Sequence, residues 1–203
     1  MARGKTKSRK SEGSESSGSF FLNIAEKKLK FLESLTPISL IGLRLFIANI
    51  FWKSGLTKIE SFETTVFLFA EEYRTHEKLT LFGMEFLTPE IAAYGSIFAE
   101  LTFPILLIIG LWTRFAAFSL LIMTAVIQFT YLEHDTHLIW ALMLFPLLTI
   151  GAGRASWDYF IRSTFFGFPE NSGVKDKLIA ITLTLGLTLY AAYVIFSDVV
   201  NIG

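Results

Sequence analysis

The chain has 203 residues, of which 52% are apolar and 18% are charged, and its mean hydropathy is +0.52. This balance is typical of a membrane protein and not of an average soluble domain. The formal net charge is zero, so we expect no overall attraction to nucleic acid. Cysteine is absent from the sequence, which excludes disulfides and cysteine-ligated metal centres on this chain.

The N-terminal part is predicted to lie outside the membrane core. Residues 1–19 are rich in Ser, Gly, Lys and Arg, which predicts a disordered basic tail. No apolar core with a cleavage site follows, so a secretory signal is not indicated. Residues 20–36 show apolar side chains at helical spacing between charges, which predicts an amphipathic helix on the membrane surface or an ordinary solvated helix.

Five apolar segments follow, each close to the ~20 residues that cross ~30 Å of hydrocarbon. They are residues 38–56, 91–111, 115–132, 137–150 and 178–196. We therefore predict an all-α, polytopic transmembrane helical bundle with a four-helix core and a fifth C-terminal transmembrane helix. The predicted organisation is a bundle over 37–158 with an external loop at 59–88, a cytoplasmic loop at 159–177 and the fifth helix at 178–197.

The distribution of Lys and Arg orients these spans. Eight such residues precede Pro37, one lies between spans two and three, and four lie between spans four and five. The other side carries three in the loop after span one and none elsewhere. The positive-inside rule places the N-terminus in the cytoplasm and the C-terminus outside. The external loop is rich in Phe and Leu, which favours a contact with membrane or protein.

Charged residues inside the first two spans are the main candidate site. Arg44, Gly55 and Lys58 fall on one face of the first helix, and Glu100 lies near the middle of the second span. A charge at that depth costs about 3 kcal/mol unless it is paired. We predict a buried pair of Arg44 with Glu100, with Lys58 as the next candidate partner. The pair is either a lock between two helices or a functional site.

Further polar residues lie toward the predicted external end. Lys53 points away from the Arg44 face, and Gln128 on span three falls at a similar level. His134 and His137 stand with carboxylates in the sequence EHDTH, at the mouth of spans three and four. Histidine and carboxylate suit a divalent metal or a proton relay, although the acids also favour the start of a helix electrostatically.

Three sequence pieces, taken in this order, resemble the DoxX family of small membrane proteins. The first is the Arg-x10-Gly-x2-Lys arrangement of span one, and the second is Glu100 followed by ILLIIGLWTR. The third is GAGRASWD, which is similar to the family's Gly-x-Gly-Arg-x-Ser-Leu-Asp signature, with Trp157 in place of Leu. The resemblance covers about residues 38–158 and implies a helical bundle in the bacterial cytoplasmic membrane.

The GAGRASWD signature permits two interpretations. It could cradle an anion, because glycines let backbone N–H groups approach a ligand. The alternative is structural: glycines end span four, an arginine sits at the membrane boundary, and Ser156 or Asp158 caps a short helix of sequence WDYFIRSTFF. The residues concerned are Gly151, Gly153, Arg154, Ser156 and Asp158.

The sequence leaves catalytic activity open and shows no nucleophile–base–acid set. Some DoxX-like proteins resemble subunits of quinone-linked redox complexes, and distant eukaryotic relatives act as cargo receptors or assembly chaperones. The first hypothesis is an accessory subunit of a membrane redox system that holds a quinone or lipid in a space lined by Arg44 and Glu100. The second is an assembly factor or receptor that binds another membrane protein through the external loop. The third is a small transporter or proton conductor. Homo-oligomers are a further possible assembly.

Overall fold

A computed structural model describes residues 8–75, 88–130, 135–167 and 173–202 of the chain. Most of the described residues are helical and none of them lies in a strand, which confirms the all-α fold class. The helices in chain order are α1 (Ser8–Glu60), α2 (Phe62–Thr75), α3 (Pro89–Ile109), α4 (Thr113–Thr130), α5 (Asp135–Thr149), α6 (Trp157–Phe166) and α7 (Val174–Ile202).

The five predicted spans correspond to α1, α3, α4, α5 and α7. Among the described residues, Asn23–Glu60, Pro89–Ile109 and Val174–Asp198 are long and apolar enough to cross a membrane, and Thr113–Gln128 and Thr136–Thr149 are shorter apolar helices. Helix α3 starts as the sequence predicts, because the Thr88 side chain accepts a hydrogen bond from Ile91 N and Pro89 occupies the first turn. The chain is thus a polytopic membrane bundle with a fifth C-terminal helix.

Helix α1 differs from the prediction for the N-terminal part. A single helix begins at Ser8, so residues 8–19 are helical and no break separates residues 20–36 from the first span. Pro37 removes one backbone donor without ending the helix. Extension of an existing helix costs little per residue compared with nucleation, which lets a polar sequence continue it.

Two compact units make up the chain, Met1–Ser39 and Leu40–Gly203. In the first unit the exposed side chains of Lys30 and Glu26 form an ion pair at 2.6 Å, one helical turn apart. In the second unit the helices pack around a core of apolar side chains, most of them fully buried. This core consists of Leu40, Ile47, Ala48, Phe51, Leu107, Ile108, Ala116, Ala117, Leu120, Leu144, Leu147 and Ala191.

Helix α7 is joined to the rest of this second unit by two tryptophan side chains. Trp52 of α1 donates from Nε1 to the Asp198 carboxylate at 2.7 Å. Trp157 of α6 donates from Nε1 to the Thr188 hydroxyl at 2.9 Å. One bond lies at the middle of α7 and the other near its C-terminal end, so together they hold the C-terminal half of the helix.

Candidate functional site

A largely buried ion pair joins Lys58 of α1 to Glu100 of α3. Lys58 Nζ lies 2.7 Å from both carboxylate oxygens of Glu100, and it also donates to the Ser54 hydroxyl at 3.0 Å. The Glu100 side chain is 2% exposed and that of Lys58 is 24% exposed. Three acceptor atoms therefore match the three N–H groups of the ammonium, and the carboxylate is bound on both oxygens.

Gly55 brings the two helices together at this pair. A Cβ atom added at Gly55 would lie 2.8 Å from Leu101 Cδ2 and 3.2 Å from Glu100 Cβ. Such distances leave no room for a side chain, so glycine permits the close approach of α1 and α3. Gly55 and Lys58 are three residues apart and share one helix face, which directs the lysine to the helix that the glycine contacts.

The predicted pairing of Arg44 with Glu100 is wrong. Arg44 donates instead from Nη2 to the backbone carbonyl of Ala155 at 2.8 Å. The prediction used the expected ends of the spans to estimate the depth of each residue, and it placed Arg44 too close to the level of Glu100. Glu100 is level with Gly55, and Gly55 lies about 16 Å along α1 from Arg44 at ~1.5 Å per residue. A guanidinium cannot reach across that separation, whereas Lys58 is one turn from Gly55.

Arg44 is part of a second polar cluster, the Gly110 clamp, which consists of Arg44, Gly110, Ser156 and Asp158. Gly110 ends α3 in the left-handed conformation, with φ 71°, and its N–H donates to Leu106 O and Leu107 O. A Cβ atom added at Gly110 would collide with Arg44 Nη1 and lie 2.5 Å from Ser156 Cβ. Both the backbone conformation and the packing therefore require glycine at this position.

The Asp158 carboxylate closes the clamp by capping the start of α4. Its two oxygens accept hydrogen bonds from Trp112 N at 2.7 Å and from Thr113 N at 3.0 Å, while Asp158 N donates to Gly110 O at 2.9 Å. A carboxylate at a helix N-terminus satisfies free N–H groups and interacts favourably with the helix dipole. The last residue of the GAGRASWD signature thus ties α6 to the α3–α4 turn.

Ser156 and the two glycines of the signature form the helix cap and the turns that were predicted, and the membrane position of Arg154 stays a prediction. Gly151 and Gly153 follow the end of α5 with φ 89° and 76°, and Ser156 caps α6 by accepting from Tyr159 N at 3.1 Å. Ser156 also donates to Gly153 O at 2.7 Å, which leaves its hydroxyl engaged on both sides. Arg154 is exposed. The geometry supports caps and turns at this sequence.

Three buried polar atoms at the clamp have no hydrogen-bond partner among the described residues: Arg44 Nε, Arg44 Nη1 and Thr113 Oγ1. Arg44 is 0% exposed, as is Thr113. Among the described residues, the Arg44 guanidinium is bound only through Nη2, by the Ala155 carbonyl. Arg44 thus contributes a buried positive charge to the junction of α1, α3 and α6.

The predicted polar group at the other end of the bundle is present in part. Gln128 Oε1 lies 3.1 Å from His137 Nδ1, which links α4 to α5 near their connection. His134 lies outside the described residues. Among the residues that the structure does describe, no three His, Asp or Glu side chains are grouped to hold a metal ion. The metal site stays a prediction.

The space expected to hold a quinone, between Arg44 and Glu100, is filled by protein. Ile47, Ala48 and Phe51 occupy this stretch of α1 and are at most 2% exposed. A shallow cleft of about 10 Å³, roughly the space of one water molecule, exists elsewhere, between α6 and α7, beside Arg154 and Ser156. Pockets for cofactor-sized ligands measure roughly 300–1,000 Å³. The described interior therefore does not fit a quinone headgroup at the predicted place.

Three features of the structure were not predicted from the sequence: the packing of Gly110, the bond between Trp52 and Asp198, and the role of Ser54. Gly110 is the glycine of the sequence ILLIIGLWTR, and a glycine just after a long apolar run is the ordinary signal of a helix C-terminus. Trp52 and Asp198 gave no signal, because their 146-residue separation conceals the contact. Ser54, one turn before Lys58, could have been found from helical spacing.

The fold and these clusters define a polytopic membrane bundle whose α1 and α3 helices are joined by a buried ion pair. The DoxX family profile matches residues 39–132. A protein of Haemophilus influenzae described as "Uncharacterized protein" is 31% identical over 148 residues, which cover 68% of this chain and 91% of that protein. No solved structure matches the chain. The chain belongs to the DoxX family.

Proposed function

We propose that the protein is an accessory subunit of a membrane complex, and that its bundle serves as a rigid frame for another membrane protein. The observation that carries this proposal is the closed Lys58–Glu100 pair. Both carboxylate oxygens are bound by one ammonium, which is itself saturated by Ser54. A carboxylate held in this way acts between helices, since a substrate or a proton would first have to displace the lysine.

The Gly110 clamp supports the same proposal. It fastens α1, at Arg44 inside that helix, to the end of α3 and the starts of α4 and α6. The contacts are made to the backbone of Ala155, Gly110, Trp112 and Thr113. Buried polar groups with fixed partners favour one packing arrangement over its alternatives, which suits a frame. A redox complex of the bacterial inner membrane is the setting that the family resemblance implies for this frame, and lipid surrounds it.

The proposal is tested by native mass spectrometry of the tagged chain, extracted from its own membranes in a mild detergent. We expect a complex with a second membrane protein at a fixed stoichiometry. A chain that appears only as a monomer, or only with copies of itself, would contradict the proposal. The matched control is a Gly110→Val chain, in which the clamp cannot pack and the complex should be lost.

The orientation of the frame is part of the proposal, with the N-terminus in the cytoplasm and the C-terminus outside. It is supported by the excess of Lys and Arg in one set of loops. Reporter domains that work on only one side of the membrane, fused at Met1 and after Gly203, should give opposite results. The same result at both ends would contradict a five-span arrangement.

A second candidate function, an assembly factor or receptor, is favoured by α2. Phe67 and Leu68 on this helix are 64% and 48% exposed, although Phe62 at its start packs on Tyr94 of α3 with ring centroids 4.7 Å apart. An anchored helix with an open apolar face can bind a partner at the membrane surface. Replacement of Phe67 and Leu68 by Ser should then release the partner. If the partner stays bound, it binds a surface other than α2.

Proton conduction, the third hypothesis, makes a different demand on Glu100. A conducting carboxylate must exchange its proton, so Glu100→Gln should abolish proton flux across vesicles while the chain stays folded. The accessory role instead expects no flux above empty vesicles with either chain.

A further inference from the structure

The unit Met1–Ser39 presents a row of exposed apolar side chains on α1. Residues 23–36 are all exposed. Leu29 and Leu32 are each 59% exposed, and Ala25, one turn before Leu29, is exposed as well. At about 100° per residue, these three residues and Thr36 lie within roughly 40° of one line along the helix. The four residues are named the Leu29 row.

The spacing of the Leu29 row is that of a coiled coil. Its members, with Leu22 before them, follow one another at alternating steps of three and four residues. This is the repeat in which the a and d side chains of two helices pack together. The other exposed apolar row contains Ile24 and Phe31, but the same repeat would then place Lys27 and Ser34 at its d positions. Only the Leu29 row therefore has a seam without a charge.

One cation and one anion flank the Leu29 row, on opposite sides. Lys28 occupies the g position and Glu33 the e position of the repeat. The residues three and four positions from Lys28 are all apolar: Ile24, Ala25, Phe31 and Leu32. Glu33 has Lys30 one turn away, but the ammonium of Lys30 is bound to Glu26 at 2.6 Å. Within the part of the chain that the structure describes, neither Lys28 nor Glu33 forms an ion pair.

We propose that the Leu29 row packs against the same row of a second copy of this chain, as a parallel two-stranded coiled coil. In such a pair, a g residue faces the e residue that lies five positions later on the other helix. Lys28 of each copy then pairs with Glu33 of the second copy. The charge pattern is complementary to itself, as a two-fold contact requires. Copies inserted in one membrane have the same orientation, which makes their N-terminal helices parallel.

The membrane surface, which the sequence predicts for residues 20–36, fits this segment less well. An interfacial helix gains from basic residues on its polar face, because they are attracted to anionic lipid. Here the polar side carries two cations, Lys27 and Lys30, and two anions, Glu26 and Glu33. The charges cancel, so this attraction is absent. The inference goes beyond the accessory role and does not depend on it.

Cysteine cross-linking tests the seam, because the sequence contains no cysteine of its own. Full-length chains with Leu29→Cys, Leu32→Cys or Ser34→Cys are reconstituted in phosphatidylcholine vesicles and oxidised with copper phenanthroline. A disulfide requires Cα atoms within about 7 Å of each other. We expect the two leucine positions to form linked dimers about tenfold or more faster than Ser34→Cys, which lies on the opposite side of the helix. Equal rates at all three positions, or no dimer at either leucine position, would overturn the proposal.

Charge reversal tests the pairing of Lys28 with Glu33 between copies. Energy transfer between full-length chains labelled at Ser34→Cys gives the dissociation constant of the dimer in vesicles. Lys28→Glu replaces two attractive pairs by two repulsive ones and should weaken the dimer about three- to tenfold. Lys28→Glu combined with Glu33→Lys restores opposite charges and should recover the original affinity. A double variant that is no tighter than Lys28→Glu alone would overturn the proposal.

The membrane surface is a distinguishable outcome of the same experiments. Ile24 lies on the apolar side of the helix but about 120° from the Leu29 row, so it points away from the proposed contact. A fluorophore attached at Ile24→Cys should therefore remain in water and resist quenching by brominated phosphatidylcholine. Strong quenching without dimer formation would overturn the proposal in favour of lipid.

Native mass spectrometry separates failure of this inference from failure of the accessory role. A complex that holds one copy of this chain and a second membrane protein would overturn the coiled coil and leave the accessory role intact. Dimers of this chain without another protein would support the coiled coil and contradict the accessory role.

Discussion

The Lys58–Glu100 pair allows a quantitative prediction about the stability of the bundle. Lys58→Met leaves the Glu100 carboxylate, 2% exposed, without a cation. Loss of one partner of a buried pair costs about 3–5 kcal/mol in free energy of unfolding. Glu100→Leu should cost less, about 1–3 kcal/mol, because Lys58 is 24% exposed and can turn toward the near end of its helix.

The double variant decides whether these two groups act as a pair. Lys58→Met combined with Glu100→Leu removes both charges, and an apolar replacement of a buried pair is often neutral. We expect it to recover most of the lost stability, with a coupling energy of at least about 2 kcal/mol. The proteins compared are the unchanged chain, the two single variants and the double variant. Their unfolding free energies are measured in detergent micelles by circular dichroism against added SDS, and they give the coupling energy.

The control cycle replaces Arg44 and Glu100 by Leu. Because these residues are separated by about 16 Å along the bundle, their effects should add within about 0.5 kcal/mol. Strict additivity for Lys58 with Glu100, or strong coupling of Arg44 with Glu100, would refute the assignment of the pair.

Three further substitutions test the rest of the frame. Gly110→Ala should destabilise the chain by about 1–3 kcal/mol, because the new Cβ meets the Arg44 guanidinium and the backbone is left-handed. Gly186→Ala, inside α7 and in open space, should instead leave the stability unchanged or raise it by up to about 1 kcal/mol. Asp158→Ala should cost about 1–2 kcal/mol through the lost α4 cap, and unchanged thermal stability would count against the cap. Trp52→Phe should increase hydrogen exchange in α7 by loss of the bond to Asp198, and exchange equal to that of the unchanged chain would contradict this role of the tryptophan.

The helices were predictable from the sequence because each signal for them is local. Apolar runs of transmembrane length, and Thr88 followed by Pro89, define the spans and the start of α3 without knowledge of the packing. The short helix after Ser156 is also confirmed, since N-caps act within one turn. The continuity of α1 was missed, because a proline and a polar tail are only weak evidence against a helix.

The partners of the buried charges were not predictable to the same degree. The depth of a residue in a bundle depends on how neighbouring helices are shifted along their axes, and sequence alone does not supply that shift. Here the contact between Gly110 and Arg44 shows how α1 and α3 are shifted along their axes, and in this arrangement Arg44 lies about 16 Å from Glu100 along the bundle. Asp158 illustrates a second limit, because its carboxylate caps a helix that precedes it by some 45 residues.

The central claim is that the deep charges hold the frame together and that the frame serves a partner. Its most direct test is native mass spectrometry of the Lys58→Met, Glu100→Leu double variant, extracted from membranes beside the unchanged chain. The account predicts a folded bundle that retains the same partner at the same stoichiometry. The contradicting result is a double variant that is as resistant to SDS as the unchanged chain but no longer binds the partner. Lys58 and Glu100 would then be a functional site and not a structural pair.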